Sequence, residues 1–537
     1  MEKSEVEDTL QTITEKASQT EIENWLKTNR RGIDDTVFSS APLNIEKGDL
    51  YKNGFFYVGR SNLNMPERNG FETFSSILSP SLYYGYFNSL YPAKEFNRTV
   101  NFQNRNYPFA PVLTTVQAGL GDYDHHYVHL NLAKNELLSF TDLEYQGEIL
   151  AQNGFWTDIT STETSMRHYL SHQGNLLNWE MEYANFRKKV AMYELLPIYW
   201  QSTNFPIDYK LQQFYASCGL PWIYIKLLNE SENANATEFY TKYKRSSTRL
   251  QLNLKQEIAF LQYKVKYEHN WQKDDFPFIG YYDAEKYADK IATCLEIDSP
   301  VNLDLTADFL DWKRFRLFSE VSYRIRNWEM SIAYKQLAGT DPSPQKVKDI
   351  YNVNQELDLI DISNRQQTSV QFCYNFMNIK PMLDIGIKNI TQKADSTWLN
   401  VDKQQPFLRL AMEANYTWKN WLITVSPEWI VSKYYQTLTE NPEYRFQSVQ
   451  QIKHLFPYDN AVFAGCSIYG HSEYYTANAA NPYLIESSTI LDAWAGIDIG
   501  KLFELRAGVK NALSSSIYGA YPVPASVFVD VLWLYLN

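Results

Sequence analysis

The segment Gly121-Asp122-Tyr123-Asp124-His125-His126-Tyr127-Val128-His129-Leu130 places three of the eight histidines close together. Imidazole and carboxylate are the ligands of zinc sites, so Asp122, Asp124, His125 and His129 form a candidate metal set. If the segment is a strand, His125 and His129 share a face but stand roughly 13 Å apart. That is too far for one ion without a bulge or a third element. The favoured reading is therefore ordinary polar residues with no metal. Acidic pairs such as Asp304/Asp308 and Asp358/Asp361 are numerous and read as solvated charges rather than acid–base partners. No HExxH, GxSxG, P-loop or GxGxxG motif occurs in a usable context, so the chain is read as a non-enzyme without a cofactor. Cys218, Cys294, Cys373 and Cys466 lie far apart without a CxxC pair and read as packing thiols.

Without a chemical signature, the reading rests on the elements. The chain has 537 residues, with 50 Lys and Arg against 62 Asp and Glu, a net charge of −12. That argues against a nucleic-acid partner, which needs a basic face. Aromatic residues make up 15% of the chain, while Gly and Pro number only 21 each. No run approaches the ~18 apolar residues of a membrane-spanning helix. Aromatic wealth without apolar runs points to strands.

The start of the chain, MEKSEVEDTLQT, lacks a basic and an apolar region, so any signal peptide is taken as removed or missing from this sequence. Val6, Leu10, Ile13 and Ala17 recur at helical spacing and predict an amphipathic helix over residues 3–28. It either packs on its own protein or docks a partner. Residues 29–110 read as irregular, with short aromatic strand-like pieces GFFYVG and SLYYGYF. Residues 1–110 are expected to form a separate periplasmic or lumen-filling unit, and residues 111–537 a barrel.

From about residue 112 apolar and polar residues alternate with period two. Val301, Leu303, Leu305, Ala307 and Phe309 fall on one face; Asn302, Asp304, Thr306 and Asp308 fall on the other. Leu250, Leu252 and Leu254 alternate likewise with Arg249, Gln251 and Asn253. The same holds over 259–268, 315–325, 328–334, 370–376 and 408–417. Segments of about 9–11 residues match a tilted strand crossing hydrocarbon. QEI (256–258), DWKR (311–314) and RN (326–327) read as tight turns, NESENANAT (229–237) and residues 336–352 as long loops. Short turns at one end and long loops at the other are the asymmetry of an outer-membrane barrel. Apolar faces ending in Tyr267, Tyr323, Trp328, Tyr334, Tyr416, Trp418, Trp421 and Trp429 suit its aromatic girdles. A propeller would repeat every ~40–50 residues, and no such repeat is present. The expected fold is all-β: a large closed antiparallel transmembrane barrel of roughly 18–22 strands, with a lumen wider than side chains can fill.

The last ~50 residues, from Leu491 to Asn537, carry a family resemblance. Val509, Asn511, Ala512 and Leu513 form an Asn-Leu-Phe-type turn. Tyr518, Tyr521, Pro522 and Pro524 follow in a loop, and Val527 to Leu536 form the closing strand. This resembles the barrel end of TonB-dependent receptors. Ala525-Ser526 replaces that family's Gly-Arg, and Asn537 its terminal Phe. Residues 1–110 lack the run of Gly, Arg and Val strands of the family's plug. The resemblance thus implies a receptor barrel with its plug reduced or absent, and energy coupling does not carry over. The expected partners are outer-membrane lipid, an unidentified small solute and a periplasmic protein reached through residues 1–110. The expected function is solute transport or binding through a polar lumen, receptor-like or porin-like, in the cell outer membrane. The alternative is a structural subunit anchoring a periplasmic or surface complex.

Overall fold

In the computed structural model the described residues are four short strands between 50 and 104, Tyr107, Phe109, and residues 111–536 apart from several interstrand stretches. Those stretches are 122–125, 138–142, 157–158, 175–176, 192–205, 237–240, 276–282, 298–300, 311–313, 340–360, 394–400, 433–442, 476–483, 501 and 514–524. The expected helix over 3–28 lies outside the described residues. Leu50–Lys52 (β1), Phe55–Phe56 (β2), Leu78–Tyr83 (β3) and Thr99–Asn104 (β4) pair in the order β2-β1-β4-β3. The two aromatic pieces read from the sequence overlap β2 and β3.

The following strands begin with Leu113–Gly121 (β5), His126–Lys134 (β6), Leu143–Trp156 (β7), Ile159–Gln173 (β8), Asn178–Ala191 (β9), Pro206–Leu220 (β10) and Ile223–Ala236 (β11). They continue as Thr241–Ile258 (β12), Leu261–Asp275 (β13), Asp283–Ile297 (β14), Val301–Leu310 (β15), Arg314–Ile325 (β16), Trp328–Gly339 (β17) and Asp361–Tyr374 (β18). Then come Ile379–Lys393 (β19), Val401–Trp418 (β20), Trp421–Ser432 (β21), Tyr444–Leu455 (β22) and Ala461–His471 (β23). Tyr474–Tyr475 (β24) and Leu484–Ile485 (β25) make a small separate pair, and Ser488–Ile499 (β26), Phe503–Lys510 (β27) and Ser526–Leu536 (β28) end the chain. All from β5 onward except β24 and β25 join one closed antiparallel barrel of 22 strands.

Closure is made by β28 against β5, with Phe528 opposite Gly121, Leu534 opposite Thr115 and Leu536 opposite Leu113. Hydrocarbon offers no partner to a bare strand edge, so closure is what lets so long a sheet stand in lipid. The period-two pattern sorts side chains as expected. On β6, Tyr127, His129, Asn131 and Ala133 are buried and face inward, while Val128, Leu130 and Leu132 are exposed outward. On β28, Phe528, Asp530, Leu532 and Leu534 are buried, while Val527, Val529, Trp533 and Tyr535 are exposed.

The turns from β10 to β11, β12 to β13, β16 to β17 and β20 to β21 are tight, and Ala259, Arg326 and Lys419 in them have φ near +51°. Positive φ gives a hairpin turn the twist of its strands. These turns lie at the end where β5 starts and β28 stops. The opposite end carries the longer connections 192–205, 340–360, 433–443 and 511–525. The asymmetry therefore holds, with corrections to several segment bounds. Residues 336–339, expected to open a long loop, belong to β17. QEI is not a turn: β12 continues to Ile258 and turns at Ala259-Phe260. NESENANA is not a loop but the upper half of β11, hydrogen-bonded along its length to β10 and β12. The strands run to 18 residues rather than 9–11. At ~3.3 Å per residue that is about 60 Å, roughly twice the hydrocarbon thickness. Beyond the lipid both faces meet water, so the apolar alternation fades while the ladder continues.

Candidate functional site: the lumen wall

The inward positions build a wall of charged and amide side chains, each placed by strand register. On β11, Glu230 accepts hydrogen bonds from Gln213 Nε2 of β10 at 2.6 Å, Ser247 Oγ of β12 at 3.2 Å and Arg249 Nη2 of β12 at 2.6 Å. On β13, Glu268 accepts from Gln251 Nε2 of β12 at 3.2 Å and pairs with Lys266 at 3.5 Å. Lys264 pairs with Glu296 of β14 at 2.8 Å. Across β8 and β9, Arg167 meets Glu182 at 3.0 Å. Glu428 of β21 holds Arg409 of β20 at 2.6 Å and also accepts from Gln447 of β22. Opposite charges on adjacent strands lock the register while leaving a hydrophilic interior.

The densest cluster lies at the closing seam. Asp530 of β28 accepts from Arg506 Nη2 of β27 at 3.0 Å and from Tyr127 Oη of β6 at 3.0 Å. Gln117 Nε2 of β5 donates to that same Tyr127 oxygen at 3.2 Å. The cluster thus ties four strands across the closing junction. Gly119 makes it possible: a Cβ there would stand 2.2 Å from Tyr127 Cε1 and 2.4 Å from Asp530 Oδ1. Arg506 also lies over the Phe528 ring, 5.2 Å from its centroid. Nearby, Asp492 of β26 accepts from Ser467 Oγ at 3.3 Å and from the backbone N–H of Asn511 at 2.8 Å.

At the tight-turn end the chain ahead of the barrel reaches the wall. Tyr107 is buried, and its backbone N–H donates to Glu144 Oε1 of β7 at 2.8 Å. Glu144 also accepts from Gln146 and, at 3.4 Å, from Ser171 Oγ of β8. Tyr107 Oη donates to the Pro111 carbonyl at 2.7 Å, and burial pushes its pKa well above the ordinary phenol range. It therefore stays a neutral donor. The Phe109 carbonyl accepts from the Asn135 N–H at 3.0 Å.

Of the candidate metal set, Asp122, Asp124 and His125 lie outside the described residues. His129 faces inward on β6, between Gln117 and Leu150 in register, while His126 faces outward. Among the described residues no group of three His, Cys, Asp or Glu stands close enough to hold a metal ion. The four cysteines are free thiols, with Cys294 and Cys373 buried. The inward charges were visible in the alternation. Their partners were not, because each pair joins residues on different strands and depends on register. Tyr107 carried no sequence signal at all.

A closed barrel with an apolar outer belt and a charged inner wall defines a wide transmembrane barrel, and its resemblance to the barrels of TonB-dependent receptors holds at the level of fold. No family model and no curated protein matches the chain. Solved structures do. The siderophore receptor PirA from Pseudomonas aeruginosa matches with a TM-score of 0.67 and 10% identity, over 96% of this chain and 98% of that one. The FrpB iron transporter from Neisseria meningitidis matches with a TM-score of 0.69 and 8% identity, over 91% of each. A mutant of the ferric enterobactin receptor PfeA from Pseudomonas aeruginosa matches with a TM-score of 0.66 and 9% identity, over 91% of this chain and 90% of that one.

Proposed function

We propose that this chain is an outer-membrane barrel that binds a small solute and passes it through its lumen. The observation that carries the reading is the closed 22-strand barrel with an ionic inner wall, a fold it has in common with a siderophore receptor and an iron transporter. Charged side chains held by fixed partners can offer hydrogen bonds to a polar solute without rearranging. Ferric chelates are the first solute class to test, because the similar proteins are receptors and transporters of that class.

In this reading residues 1–110 form a unit on the lumen side of the wall. Three observations support it. A 22-strand barrel is too wide for its own side chains to fill, yet Gln251, Gln367 and Asp384 are only 1–2% exposed. Tyr107 docks on the inward Glu144. Residues 113–536 are 424 of the 537, so the match to PirA over 96% of the chain takes in part of the N-terminal region as well.

Reconstitution into planar bilayers tests the function. Stepwise conductance, and uptake of a ferric chelate into liposomes holding the protein, are expected. A sealed barrel that conducts nothing even without residues 1–106, and that co-purifies with periplasmic or surface proteins, would favour the anchoring role instead.

A further inference from the structure

The outward face of β9 to β12 changes character along its length. Register places Tyr183, Phe214, Asn229, Thr248 and Trp271 in one row across β9 to β13. Tyr183, Phe214 and Trp271 are exposed. Aromatic side chains in an outward row mark the level where hydrocarbon gives way to headgroups. Four residues further along β9, in the direction away from the tight turns, stands Arg187. Its register row runs through Lys210 and Asn233 to Lys244. Arg187, Lys210 and Lys244 are all exposed. At ~3.3 Å per residue this row lies about 13 Å along the strands from the aromatic row.

Asp208 of β10 lies on the same face one row further along. Asp208 is engaged within the sector: it accepts from Arg187 Nε at 2.9 Å and Nη2 at 2.7 Å, and lies 3.8 Å from Lys210 Nζ. The sector therefore presents three exposed cationic residues, Arg187, Lys210 and Lys244, beside one carboxylate, Asp208, in a chain whose net charge is −12.

We propose that the outward rim of β9 to β12 is a docking surface for phosphate-bearing headgroups of the surrounding outer-leaflet lipid. The charge is complementary. The residues face sideways into the membrane plane rather than into the lumen, and they stand at headgroup height above an aromatic girdle. A guanidinium held by Asp208 and flanked by lysines presents several N–H donors to phosphate oxygens. The Ser231, Ser246, Asn185 and Gln212 row between the two levels supplies neutral donors for the sugar or ester part of such a lipid.

The test uses the full chain in neutral detergent, with diphosphoryl lipid A, the same lipid stripped of its phosphates, and inorganic phosphate as probes. Retained lipid is counted by native mass spectrometry. Wild type should retain diphosphoryl lipid A at least ten-fold more tightly than the stripped lipid. The Lys210→Gln/Lys244→Gln variant, with Arg187 and Asp208 left paired, should lose most of that preference while keeping its heat-resistant folded band. Lys419→Gln, in a tight turn at the other end, should retain lipid as wild type does. Equal retention of the two lipids, or an unchanged preference in the double variant, would overturn the proposal. Displacement by millimolar inorganic phosphate would overturn it too, because the site would then hold a free anion.

Discussion

Leu252 and Asn253 are adjacent in sequence and face opposite solvents. Leu252 is an outward residue between Ile225 and Tyr267 in register; Asn253 is buried inward and donates to Gln251 at 3.2 Å. Leu252→Arg puts a charge into hydrocarbon at mid-strand and should cost about 2–4 kcal/mol in bilayer refolding. Asp304→Asn, on the opposite face of β15 from Leu303 and Leu305, should leave folding within about 0.5 kcal/mol of wild type. Equal effects in the two variants would mean that the assignment of faces is wrong. The seam cluster makes a second residue-scale case. Arg506 and Asp530 are each 2% exposed in their side chains. Arg506→Leu strands a buried carboxylate and should destabilise by about 3–5 kcal/mol in denaturant titration. Arg506→Leu combined with Asp530→Leu should recover much of that loss, since no unpaired charge remains. A double variant as unstable as the single one would show that the pair contributes more than mutual neutralisation. Asp530 itself was legible as an inward residue, being the sole charge on its strand. Its partners were not: Arg506 is 24 residues away and meets it only through the register of β27 on β28, and Tyr127 is 403 residues away, a separation that leaves no local trace.

Strand identity was legible for a simple reason: lipid on one side and water on the other impose strict alternation, as at Val301–Phe309. Where both faces are wet the constraint vanishes, and so did the signal. NESENANA in β11 looked like a loop although its backbone is fully laddered. Ala259 and Phe260 did not look like a turn, since neither is Gly, Asn or Asp, yet Ala259 holds a φ of 51°. The closing strand was legible from its own faces, and its pairing with the segment from Val112 followed from the need to leave no open edge. Removing residues 526–537 exposes the edges of both β27 and β5. Assembly into a heat-resistant band should therefore be abolished rather than weakened. Thr115→Cys with Leu534→Cys, in a background lacking the four native cysteines, should crosslink within one chain, because the two positions are directly opposed. Assembly of the truncated chain, or failure of that pair while a partner within 53–58 crosslinks, would move the barrel boundary toward the N-terminus.

In the proposed function the lumen of the barrel conducts and the N-terminal region obstructs it. Composition alone pointed away from helical membrane proteins and nucleic-acid binders, and alternation alone pointed to a barrel. Residues 1–110 carry neither the alternation nor a plug-like pattern, so the expectation that they lie at the periplasmic mouth or fill the lumen rested on the width of the barrel and on the burial that GFFYVG and SLYYGYF need. Among their described residues, buried Tyr107 is tied to Glu144 on the inner wall. The most direct measurement is single-channel conductance in planar bilayers of the full chain beside the chain lacking residues 1–106, each first shown to form the heat-resistant band. Discrete steps are expected for both, with clearly larger steps and longer open times in the shortened chain. Two folded proteins that both leave the bilayer silent would contradict the proposed function.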